Sequence, residues 1–156
     1  MLEYQIGDMG KINGWATEVD YHAGQLQDSL TKNSDQDENF RQVLEISSDE
    51  DHDLDMFVNA HHRKFVLKYR HVIRDQDGRA ALFGGYQLFE FEQAHLSQDR
   101  LVAATILSFD IDPNGNVEIN GKHLSCSPNP VYAAQDRQNF KKQILFAIQR
   151  SLVAQD

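Results

Sequence analysis

The chain has 156 residues, 40% of them hydrophobic, and carries a formal net charge of −9 from 24 acids against 15 bases. That size suits one domain with a single core, spanning 1–156, and the acid excess argues against general adhesion to nucleic acid or anionic membrane, whose phosphates select Lys and Arg. Cys126 is the only cysteine, which excludes an intramolecular disulfide framework.

The longest nearly uncharged apolar window, residues 101–109, is too short for a membrane span of about 20 residues. No charged start followed by an apolar run resembles a signal peptide, so a soluble cytoplasmic protein is expected.

Charge is segregated along the chain. Residues 34–55 hold nine carboxylates (Asp35, Asp37, Glu38, Glu45, Asp49, Glu50, Asp51, Asp53 and Asp55) against Arg41 alone, a local −8. Residues 61–74 follow with five bases (Arg63, Lys64, Lys68, Arg70, Arg74), three histidines and no acid.

In chain order, Leu2–Ile6 and Trp15–Tyr21 have short strand character, separated by Gly10, Asn13 and Gly14. Gln25–Glu38 is mostly polar and reads as a short helix entering a solvated loop, so 25–55 is expected to be a partly mobile acidic region. Phe40–Ile46 fits a helix or a strand equally. Lys64–Arg74 alternates, with Phe65, Leu67, Tyr69 and Ile73 on one face and Lys68, Arg70 and Arg74 on the other, the pattern of a strand with one wet face.

Asp77-Gly78 predicts a hairpin into Ala80–Glu92, because both residues tolerate positive φ. Gly84-Gly85 within that strand predicts a bulge, a bend or a close approach, and hence a curved sheet. Leu101–Ile111 reads as a long strand that Asp112-Pro113-Asn114-Gly115-Asn116 turns back into Val117–Asn120. From Ala133 to Ala154 a helix puts Phe140, Ile144, Ala147, Ile148, Ser151 and Leu152 on one face and Arg137, Lys141 and Arg150 toward water, with Asp136 in its first turn. The expected fold is α+β: one curved, meander-like antiparallel sheet of about five or six strands with a long C-terminal helix packed on one face.

Few constellations carry chemistry. Asp110, Asp112, Asn114 and Asn116 match the opening of a calcium loop, but the twelfth position is Gly121 and the flanks are strands where helices are required, which leaves a hairpin turn. Asp51, His52, Asp53, Asp55, His61 and His62 are the densest group of metal-ligand types, yet no spacing fixes a geometry, and adjacent His61 and His62 would point to opposite faces of a strand. The metal-ligand candidates are therefore His52, His61, Asp110 and Asp112. Ser125-Cys126-Ser127 follows His123 without a nucleophile elbow, and no phosphate-binding glycine motif is present. Aromatics and cations on the basic strand fall on opposite faces, which disfavours a base-stacking platform.

These readings favour a non-catalytic binding protein that takes a protein or peptide partner through the sheet/helix cleft, a sheet edge or the acidic segment. The residues expected to carry it are Asp49, Glu50, Asp51, Asp53, Arg63, Lys64, Lys68 and Arg70. A homodimer would cover exposed strand edges. No cofactor is implied. Two alternatives are an enzyme using His71 or His123 with Asp110, and an acidic mimic of nucleic-acid phosphate built on 34–55.

Overall fold

The computed structural model describes residues 6–31, 43–93, 99–126 and 133–153. The expectations for Leu2–Gln5, for residues 32–42 of the acidic segment and for Ser127 lie outside them. The elements are α1 (Ile6–Thr31), β1 (Leu44–Ser48), β2 (Met56–Ala60), β3 (Arg63–Gln76), β4 (Arg79–Gln93), β5 (Asp99–Ile111), β6 (Asn116–Ile119), β7 (Lys122–Ser125) and α2 (Ala133–Ser151). The seven strands follow one another in a single antiparallel meander, curled into a half-barrel.

Seven strands replace the expected five or six because two further tight turns divide the chain. His61 and His62 are the two residues of the β2–β3 turn, with φ of 52° and 61°, and so do not alternate across a strand. Asn120 and Gly121, with φ of 51° and 80°, form the β6–β7 turn, an Asn-Gly pair of the type that favours two-residue hairpins. Asp77-Gly78 turns as expected, with φ of 53° and 83°.

Trp15–Tyr21 is not a strand but the middle of α1, a 26-residue helix that also absorbs Gln25–Thr31. Its four glycines, Gly7, Gly10, Gly14 and Gly24, each disfavour a helix by about 1 kcal/mol relative to alanine. Val19, Ala23, Leu26 and Leu30 recur at helical spacing and are almost completely buried. Burying a leucine-sized side chain contributes about 1.5–3 kcal/mol, so the stripe offsets the propensity cost. α1, and not the 19-residue α2, is the long helix.

The core joins α1 (Ala23, Leu26, Leu30) and α2 (Phe140, Ile144, Ala147, Ile148) to one face of the sheet, where Val58, Phe65, Leu67, Tyr86, Leu88, Phe109, Ile111 and Val117 converge. Both helices therefore cover the same face. On α2, Phe140, Ile144, Ala147 and Ile148 are buried as expected, but Lys141 is buried too and Ser151 is exposed.

The β4–β5 register slips between Leu88 and Phe89 and between Phe89 and Phe91, whereas Gly84-Gly85 carries no bulge and pairs regularly on both sides. The glycines serve close approach instead. A Cβ on Gly84 would stand 2.6 Å from the Tyr69 hydroxyl oxygen, and one on Gly85 would stand 2.7 Å from Val72 Cγ2.

Candidate functional site

The strand alternation that buries Phe65, Leu67 and Tyr86 toward the helices sends the intervening residues to the opposite, outer face. Register places Phe57, Val66 and Phe89 side by side there, with Lys64 beside Asn59, Lys68 beside Gln87, Arg70 beside Gly85 and Val72 beside Phe83. The Phe57 and Phe91 rings are 6.0 Å apart, and the Lys64 ammonium stands 4.7 Å above the first and 4.9 Å above the second. Val66, flanked by Phe57 and Phe89, is only 2% exposed. Phe65 and Tyr69 face the helices, opposite Lys68 and Arg70 as expected, but aromatics of the neighbouring strands share the outer surface with these cations. The aromatics come from β2 and β4, whose facing cannot be read from β3 alone. Lys68 and Arg70 project from this face, exposed and without a partner among the described residues. No described helix packs on it.

Toward β5–β7 the outer face becomes a polar trough of about 520 Å3, with Arg74, Phe83, Asp110, Glu118 and His123 in its walls. Asp110 and His123, two of the candidates named from the sequence, both line it, as does Arg74, whose guanidinium pairs with the Asp110 carboxylate. Asp112 also lines it, and its Oδ1 accepts the backbone N–H groups of Asn114 and Asn116, both at 2.9 Å. Glu118 and His123 face each other across β6–β7. A second cavity of about 400 Å3 shares Asn116 and His123 in its walls and reaches Asp136 in the first turn of α2. The Asp136 carboxylate accepts the Ser125 backbone N–H, while partial burial pushes its pKa up.

His71 lies elsewhere, on the helix side. Its Nε2 and the Tyr69 hydroxyl both contact Asp20 Oδ1 at 2.7 Å, tying β3 to α1. The His71 side chain is 42% exposed, because His71 lies where β3 has run beyond the β2 pairing. Asp20 is the partner that sequence reading missed. It lies about 50 positions away on an element read as a strand.

The acidic segment divides. Asp49, Glu50, Asp51 and Asp53 lie in the β1–β2 loop, with Glu50, Asp51 and Asp53 exposed, and His52 is exposed beside them. Asp55 turns inward, 9% exposed, and accepts the Tyr69 backbone N–H at 2.7 Å. Arg63 pairs with Glu90 across β3–β4 at 2.9 Å rather than with that loop. The metal candidates are dispersed: His61 contacts Gln149, and Asp110 is engaged by Arg74. Among the described residues no group of three or more His, Cys, Asp or Glu side chains is placed to hold a metal ion. Cys126 is buried, and burial pushes its thiol pKa up to about 12, the setting of a packing residue and not of a nucleophile. Among the described residues no helix is long and apolar enough to cross a membrane. No family model, curated protein or solved structure matches the chain.

Proposed function

We propose that the protein is a non-catalytic binding module that engages a protein or peptide partner across the outer face of β2–β4. The observation that carries this reading is the gathering of Phe57, Phe89 and Phe91 with Lys68 and Arg70 on a sheet face free of described helices. Aromatics supply apolar contact area in such surfaces, and cations without partners among the described residues set orientation and encounter rate.

A base-stacking surface would use the same residue types, but the Lys64 ammonium stands over the Phe57 and Phe91 rings that bases would need, and the −9 net charge opposes a long polyanion. A protein segment with a few carboxylates fits better. The exposed β1–β2 loop of a second copy offers one such segment, which keeps a homodimer within the proposal.

The test is the double change Lys68→Glu with Arg70→Glu. Partners captured from the source cells by the unchanged protein are purified and titrated against both forms, and self-association is measured by sedimentation. The expected result is loss of binding to the purified partner, or loss of the dimer, with the thermal melt unchanged. Equal affinity in both forms would overturn the reading.

A further inference from the structure

We propose that the polar trough over β5–β7 is a second, separate binding site that takes an organic cation, an ammonium or guanidinium group on a small amine or on a basic side chain of a partner. The charge balance of its walls points to that class. Arg74 and Asp110 neutralise one another, which leaves Asp112, Glu118 and Asp136 as carboxylates along two cavities that share Asn116 and His123. Glu118 and His123 have no partner among the described residues. The trough of about 520 Å3 falls in the ordinary size range of small-molecule sites, and Phe83 supplies apolar wall for the methylene stem of such a cation.

The walls are also pre-organised. The Asp112 carboxylate is held by two backbone N–H groups, the Asp112 N–H donates to the Asn116 carbonyl at 3.0 Å, and the Cys126 N–H donates to the Gly115 carbonyl at 2.8 Å. Little ordering therefore accompanies binding. Partial burial raises the Asp136 pKa, and a cation bound beside the carboxylate would lower it again. Lys68 and Arg70 are not in its walls, so the test below does not rely on the occupant proposed for β2–β4.

The test uses the full chain and two cationic probes, agmatine and an end-blocked Ala-Ala-Arg-Ala-Ala peptide, with glucose and glutamate as neutral and anionic controls. Saturable NMR shifts of the Asn116, Asn120 and His123 signals report occupancy. Glu118→Gln and Asp112→Asn remove charge while keeping shape, and the second of these keeps a side-chain oxygen to accept the turn's N–H groups. Each is expected to weaken the cationic probe by about two- to five-fold, the range for single, partly exposed charges. Glu45→Gln, an exposed acid on β1, should leave it unchanged. Tighter binding of agmatine assigns the site to a free amine, and binding of the peptide at least as tightly assigns it to a partner's side chain. Three results would overturn the proposal: no saturable shift with either probe, equal shifts with glucose or glutamate, or the same loss in Glu45→Gln, which would mean general attraction to an acidic protein.

Discussion

The Tyr69 phenol fills the place that a side chain on Gly84 would need. A Cβ there would stand 2.6 Å from the hydroxyl oxygen and 2.7 Å from Cε2, inside any observed contact distance. The ring cannot step aside freely, because its hydroxyl donates to Asp20 at 2.7 Å and it packs on Tyr86 with centroids 5.0 Å apart. Gly84→Ala is therefore expected to destabilise by about 1–3 kcal/mol, the usual range for overpacking. In urea unfolding, Tyr69→Ala should abolish most of that increment, since the two changes act on one space. Additive effects would show that the glycine serves another purpose.

Asp55 and its acidic neighbours should behave as different kinds of residue. Asp55→Ala leaves the buried Tyr69 N–H without its acceptor and is expected to lower stability by about 1–3 kcal/mol, whereas Asp55→Asn retains an acceptor and should recover part of the loss. Changing Asp49, Glu50 and Asp51 together to asparagine or glutamine should stay within about 0.5 kcal/mol per site, as for exposed groups. Melts at low and high salt check the contrast. A large, salt-sensitive loss in the triple variant would mean that the loop pairs within the fold.

Ile144 is 0% exposed, on the α2 face that meets the sheet. Its truncation to alanine is expected to cost about 2–5 kcal/mol, combining lost burial with a residual cavity. A denaturation midpoint that did not move would detach α2 from the core.

Alkaline pH should destabilise the protein. Burial raises the Cys126 thiol from 9.0 to about 12 and pushes the Tyr69 and Tyr86 phenols up as well, led in each case by desolvation. Below about pH 9 these groups are neutral in both folded and unfolded chains and favour neither. Above it the unfolded chain releases protons that the folded chain retains, so stability falls as pH rises toward 12. Melting temperatures measured at pH 7, 9 and 10.5 should decline over the last interval, and Cys126→Ser should shallow that decline. At pH 8 the native thiol should react with a disulfide reagent far more slowly than the unfolded chain does.

Alternation in β3, the Asp77-Gly78 turn and the apolar face of α2 were legible in the sequence, because each depends on neighbours within a few positions. The antiparallel sheet with a C-terminal helix on one face followed from them. Asn120-Gly121 carried an equally local signal that went unread, and with it the seventh strand. α1 lay hidden because Gly7, Gly10, Gly14 and Gly24 lower local helix preference, and only burial of Val19, Ala23, Leu26 and Leu30 against the sheet compensates for them. The sites depended still more on tertiary structure. Asp110 and His123 could be named as candidates, but Arg74 reaches Asp110 only through the β3–β4–β5 register, and Asp20 meets His71 only through the packing of α1. By itself the sequence determined the charge polarity of the chain and the periodicity of its clearest elements, since composition and local spacing suffice for both. Only the tertiary structure decided which aromatics share a face with the cations, which of the acids turns inward and where the polar trough forms, because each is set by strand register and by contacts between residues far apart in the chain.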